Sequence, residues 1–269
     1  MPRPQPRRPV TRELVARGLA ADEDEAEDLV EEGVVVRNGG PVTSPATRVA
    51  ASDVLALARL PRFVSRAGEK LDHALERLAI DVAGRRALDV GASTGGFVDC
   101  LLQRGAAEVV AVDIGPSALH PRLLADPRVD ARDRTDARGL TPAAAGTFGF
   151  ASTDASMVSL TRLLAAVAGC LDPGADVVTL VKPQYEADID EVRRARGIIR
   201  DPGTWRAVLH DVAAAAAGTG LAVRGLVASP IRGRKGNVEF LLHARAGTPD
   251  GAPVDVAALV EAAVAEAPA

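Results

Sequence analysis

At 269 residues and 47% hydrophobic, the chain can hold one large domain or a small one beside a medium one. Aromatics are only 3%, so its core must be Ala, Val and Leu, and the net charge of −4 confines any nucleic-acid surface to a local patch. The four scattered histidines and two cysteines form no metal-ligand pattern, and Cys100 and Cys170, inside apolar stretches, read as reduced thiols of a cytoplasmic protein.

Met1 to Pro9 is rich in Pro and Arg and lacks the apolar core of a signal peptide; residues 1–9 are expected to be a disordered tail. Residues 10–59 read as a small α+β module. Leu14, Val15 and Leu19, then Ala26, Leu29 and Val30, have helical spacing. Gly33 to Gly39 reads as a strand entering an Asn-Gly turn, and Val49 and Val54–Leu57 supply further strands. Between Arg17 and Arg37 the module has eight acids and no base, a face that repels a phosphate backbone. Residues 60–64 are expected to be a linker.

From residue 65 strands alternate with helices. Strands are predicted at 87–90, 109–113, near 129, at 150–154, 177–181, 221–228 and 238–243. The short Gly- and Arg-rich turn between the sixth and seventh predicts an antiparallel last strand. This is a doubly wound α/β sheet of seven strands, with sites at the carboxyl ends of its strands. Residues 247–269 complete the chain as a helix or tail. The alanine-rich run near 212–217 is far too short to cross a bilayer, so no membrane partner is expected.

The first strand enters Gly91-Ala92-Ser93-Thr94-Gly95-Gly96-Phe97 and then an apolar helix. Glycines let the backbone turn and approach a ligand, and the helix N-terminus behind offers free N–H groups. Asp113, ending the second strand, is placed to bind the hydroxyls of a ribose. The loop lacks the signature of a pyrophosphate grip, so S-adenosylmethionine is favoured over a dinucleotide. Asp133, Arg134 and Thr135, after the third strand, are candidates for the adenine side.

Only three lysines accompany 29 arginines: Lys70, Lys182 and Lys235. Lysine is the cation whose pKa burial can move, so it can act on a reacting atom. Asp154 ends the fourth strand, Lys182 ends the fifth and Glu239 begins the seventh. The topology sets all three at one edge of the sheet, and Lys70 can fold over from the side. Two lysines and two carboxylates would compensate one another in a pocket.

The segments Phe63–Leu71, Asp89–Phe97, Leu180–Glu186 and Lys235–Phe240 resemble the TlyA family over about residues 10–245. The resemblance implies an S4-type RNA-binding domain joined to an FtsJ-like ribosomal RNA 2′-O-methyltransferase with a Rossmann-like fold. It implies a catalytic tetrad of Lys70, Asp154, Lys182 and Glu239, S-adenosylmethionine as cofactor with Asp154 also beside it, and ribosomal RNA or a ribosomal subunit as partner. A Lys182 of lowered pKa would accept or orient the 2′-hydroxyl proton, with Asp154 and Glu239 positioning it and Lys70 stabilising charge on oxygen. Arg66, Arg193, Arg194, Arg196, Arg232, Arg234 and Lys235 are the expected RNA contacts. No metal is required. The acidic module keeps open the same chemistry on another RNA or a nucleoside-like small molecule; a membrane-active hemolysin is the remaining alternative. The target nucleotide and the oligomeric state are not legible.

Overall fold

The computed structural model describes residues 7–31, 33–58, 61–116, 118–247 and 254–267. The chain divides into two compact units, Met1–Arg66 and Ala67–Ala269. The division falls just beyond the expected linker at 60–64, and residues 59 and 60 lie outside the described residues.

The first unit runs β1 (Arg7–Pro9), α1 (Val10–Ala16), α2 (Glu23–Glu31), β2 (Val35–Arg37), β3 (Gly40–Pro41), β4 (Arg48–Ala50) and β5 (Leu55–Leu57). Residues 7–9 correct the expectation of a disordered tail to Pro9: they pair antiparallel with β4, Arg8 opposite Val49. Residues 1–6 of that tail lie outside the described residues. In the three-stranded sheet β2 lies between β3 and β5. Val10, Leu14, Ala26, Leu29, Val30, Val35, Val49 and Leu55 form the unit's core, which bears out the helical spacing read in both helices. The acids of α2 are partly answered inside the unit. Glu23 meets Arg12 at 3.2 Å, and Arg66 reaches Asp28 at 3.1 Å and Glu31 at 2.9 Å.

The second unit begins with α3 (Ala67–Arg77), β6 (Arg86–Val90), α4 (Gly96–Gln103), β7 (Glu108–Val112), α5 (Pro121–Leu124), β8 (Val129–Arg132), α6 (Pro142–Ala145) and β9 (Phe148–Thr153). It continues through α7 (Leu164–Gly169), β10 (Leu171–Val181), α8 (Pro183–Glu186), α9 (Ile189–Arg194), α10 (Pro202–Gly218), β11 (Leu221–Ala228), β12 (Phe240–Ala246) and α11 (Val256–Ala265). The seven-stranded sheet has the order β11-β12-β10-β9-β6-β7-β8. Every neighbouring pair from β10 to β8 is parallel, and β12 runs antiparallel to both β10 and β11. The expected seven-stranded sheet with an antiparallel last strand is therefore present.

The central strands are apolar on both faces, as a sheet covered by helices on both sides requires. Leu88, Val110, Phe148, Ala151, Val177, Phe240 and Leu242 are buried in one core with Leu164, Val167, Trp205, Leu209 and Val260 from the helices. The aromatic shortage shows in that core. Trp205 and Phe240 meet edge to face at 5.9 Å, and Ala and Val fill most of the rest. The strand order places the change of winding direction between β6 and β9. There the carboxyl ends open a crevice, the usual ligand position in such sheets.

Candidate active site

Two buried ion pairs sit at the carboxyl edge of the sheet. Lys182 follows the last residue of β10 and opens α8, where Pro183 supplies the fixed φ of a first helical position. Its Nζ lies 2.6 Å from Asp154 Oδ1 and donates to Ser156 Oγ at 2.8 Å. Asp154 follows β9 and is fixed by its N–H bond to the Val90 carbonyl at 2.9 Å. Lys70, on α3, places its Nζ 2.6 Å from Glu239 Oε2, and these residues are only 6% and 3% exposed. Glu239 precedes β12 rather than beginning it. A Cβ on Gly233 would fall on its Oε1, so that turn position must be glycine for the carboxylate to fit.

The two pairs act on each other. Burial, the largest influence, pulls the Lys182 pKa down. The charge and hydrogen bond of Asp154, with Glu239 and Tyr185 behind them, push it up by more. It ends above the ordinary lysine value, so Lys182 is an ammonium ion in the free protein. The expected lowered pKa is thereby corrected: a carboxylate in contact outweighs desolvation.

Beside Lys182 and Asp154 a cleft of about 780 Å³ opens between the ends of β6, β7 and β9. Gly91, Ser93, Asp113, Asp154, Ser156 and Tyr185 are in its wall. Gly91 has φ +84°, and a Cβ there would come within 2.8 Å of the Asp154 carbonyl. Only glycine lets the loop and the end of β9 approach so closely. Asp113 is held by two backbone donors, Ser93 N–H at 2.9 Å and Gly115 N–H at 2.8 Å. Each carboxylate oxygen keeps a lone pair for a ligand hydroxyl.

Other loop residues serve the cleft indirectly. Ala92, Gly95, Gly96 and Phe97 are buried behind it, and the Thr94 carbonyl accepts from His120 N–H at 3.1 Å. Asp133 and Arg134 are not among its wall residues, a correction to their expected place. After β8 the chain turns, with Arg134 at φ +50° and its N–H on the Gly115 carbonyl. Thr135, the last residue of that expected stretch, is in the wall, and Asp136, Ala137 and Arg138 follow it there. Asp136 caps that turn and grips Arg138 at 2.6 Å, which lowers the Asp136 pKa to about 2.

Three further residues belong to the site and were not anticipated. Ser156 holds the Lys182 ammonium. Glu186 accepts from Ser159 Oγ at 2.7 Å and Leu160 N–H at 2.9 Å, which ties down the segment carrying Ser156. Asp89 lies two residues before Gly91 and is fully buried. Its Oδ1 accepts from Ser152 Oγ at 2.6 Å, while its Oδ2 has no partner. Burial, with Asp154 and Asp113 nearby, raises its pKa to about 7. An acid inside the apolar strand Ala87-Leu88-Asp89-Val90 is the signal that marks it, because acids are almost never buried without a purpose.

Of the expected RNA contacts, Arg66 is tied to Asp28 and Glu31, and Arg193 pairs with Asp190 at 3.2 Å. Arg232 donates to the Gly236 carbonyl at 2.9 Å, and Arg194, Arg196, Arg234 and Lys235 are exposed.

The FtsJ-like methyltransferase family matches residues 63–246. A 16S/23S rRNA (cytidine-2′-O)-methyltransferase, TlyA of Mycobacterium tuberculosis, is 43% identical over 89% of this chain and 90% of its own length. YqxC of Bacillus subtilis, named as an rRNA methyltransferase, is 40% identical over 86% of this chain and 83% of its own. Among solved structures, a hemolysin-named protein from Streptococcus thermophilus is 36% identical, with a TM-score of 0.76 over 98% of both chains.

Proposed function

The chain belongs to the FtsJ-like methyltransferase family and to its TlyA group, and from that premise we propose that it transfers a methyl group from S-adenosylmethionine to a ribose 2′-hydroxyl of ribosomal RNA. Cytidine is the nucleoside named for the relative from Mycobacterium tuberculosis. The observation that carries the reading is the ion pair between Lys182 and Asp154, a wall residue of the glycine-loop cleft. It sets a fixed cation and a fixed anion where a nucleoside cofactor and a hydroxyl nucleophile would meet.

The cleft suits the cofactor. Its volume lies within the range of small-molecule sites, and Asp113 presents free lone pairs to a ribose. Bound there, S-adenosylmethionine supplies an electrophilic methyl group. The protein's work is to bring the hydroxyl to it. Lys182 as an ammonium orients the 2′-oxygen and compensates the negative charge that builds on it as the hydroxyl proton passes to water and the O–CH3 bond forms. Asp154 and Ser156 fix the ammonium, and the Lys70–Glu239 pair adds a second balanced dipole. Holding oxygen and methyl in line supplies much of the remaining rate.

The hemolysin alternative lacks structural support, since no helix among the described residues is long and apolar enough to cross a membrane. The test is transfer from labelled S-adenosylmethionine to ribosomal subunits and to free ribosomal RNA, with the product mapped by resistance to alkaline cleavage. Label on a ribose 2′-oxygen is the expected result; label on a base, or none in any RNA, would overturn the reading. In the same preparation Asp113→Ala is expected to weaken S-adenosylmethionine binding by roughly 10–100-fold in calorimetry, the worth of hydrogen bonds to a charged group. Unchanged affinity would remove Asp113 from the site.

A further inference from the structure

Asn237 joins two loops for which the methyl-transfer chemistry has no use. It is 2% exposed. Its Oδ1 accepts from Ile199 N–H at 2.9 Å, its Nδ2 donates to the Gly197 carbonyl at 2.9 Å, and its own carbonyl accepts from Gly233 N–H at 2.9 Å. One residue thus closes the β11–β12 turn and clamps the α9–α10 loop to it. Two residues further on is Glu239.

Both clamped loops carry exposed cations. Arg194, Arg196 and Arg200 line a second cleft of about 430 Å³, and Lys235 is exposed on the β11–β12 turn. Most arginines of this chain with a described side-chain contact meet a carboxylate. The side chains of Arg196, Arg200 and Lys235 have no hydrogen-bond or ion-pair partner among the described residues, and that of Arg194 meets only the Asp190 carbonyl. The acids in that cleft are committed elsewhere: Glu191 accepts from the Thr204 hydroxyl, and Asp201 caps α10 through Thr204 N–H at 2.9 Å. Arg196 sits at φ +53°, so the loop's shape is imposed against its backbone preference. Unanswered like charges held together by a rigid clamp mark a surface for an anion.

We propose that Arg194, Arg196, Arg200 and Lys235 form a phosphate-binding surface for the RNA backbone flanking the methylated ribose, and that Asn237 is the positioning residue that fixes this surface relative to Glu239. The inference rests on the RNA methyltransferase reading and names the part of the protein that holds the substrate's backbone.

The full chain carrying Arg196→Ala, Arg200→Ala and Lys235→Ala together tests it. Retention of ribosomal RNA on filters is measured from 50 to 200 mM salt, beside steady-state methyl transfer. Loss of three phosphate contacts is expected to make the slope of log affinity against log salt shallower by about 2, at about 0.7 per contact on single strands. The KM for RNA should rise about tenfold or more, while kcat and S-adenosylmethionine affinity stay within about twofold. Arg206→Ala, which removes a cation on α10 paired to Glu261 on α11, should change none of these. Asn237→Ala should raise the KM for RNA in the wild-type background and add little in the triple variant, because three of the four cations it places are already gone. An unchanged slope and KM in the triple variant would overturn the surface. A full additional loss from Asn237→Ala in that variant would overturn its positioning role. Absence of methyl transfer to any RNA by the wild type would instead sink the functional reading, while the salt slopes would still report on the surface.

Discussion

Lys182→Ala lowers kcat for RNA methylation by roughly a thousandfold or more, with S-adenosylmethionine affinity changed by only a few fold. The lysine is the cation at the cleft that contacts both a carboxylate and a hydroxyl, so its removal strips the site of the charge that answers the developing oxyanion. Lys182→Arg should not restore the rate, because a planar fork cannot stand where a compact ammonium fits between Asp154 and Ser156. The pH profile separates two roles for the same residue. Its pKa lies above the ordinary lysine value, so the ammonium persists through pH 9. If the ammonium is the active form, kcat is flat between pH 7 and pH 9. A tenfold rise per pH unit across that range would show that Lys182 must first lose its proton, and the charge-stabilising role would be wrong.

Asp89→Asn should stabilise the fold at pH 8. The carboxyl group is fully buried and its pKa is raised from 3.8 to about 7. Between those values the folded protein holds a proton that the unfolded chain has released, so stability falls as pH rises from about 4 to about 7 and stays low above. At about 1.4 kcal/mol per pKa unit, the ionised group costs on the order of 4 kcal/mol at pH 8. An amide escapes that cost but leaves donors unpaired, at about 1–2 kcal/mol. The net gain is about 2 kcal/mol, or about 4–8 °C in Tm, and it should reverse near pH 4. Thermal melts across pH 4–8 decide it; a variant less stable at every pH would show that the buried carboxyl is not the strained group.

The parts of the site that follow from strand ends were legible in the sequence. Asp154 and Lys182 end adjacent parallel strands, and the short turn before Glu239 made the last strand antiparallel, which returns that carboxylate to the same edge. Lys70 needed only that its helix lie beside the sheet. The protonation of Lys182 was not legible, because its sign depends on whether Asp154 touches it, a matter of ångströms that spacing does not carry. Asp133 and Arg134 were misplaced for a related reason: a left-handed residue in the turn swings the chain, and Thr135 with the three residues after it takes the position. The strand at residues 7–9 was missed because Arg-Arg-Pro has no apolar alternation; its pairing comes from a distant partner at 48–50.

The scarcity of lysine has a practical consequence. Lys70 and Lys182 are buried in ion pairs, whereas Lys235 is exposed and has no partner among the described residues. An amine-directed acylating reagent therefore meets a single reactive side chain, and it stands on the turn that Asn237 closes. Apart from the chain's α-amino group, that side chain is the amine open to a dye or a cross-linker, and no cysteine need be introduced. Protection of that amine from the reagent by added RNA would then read out docking in the unmutated chain.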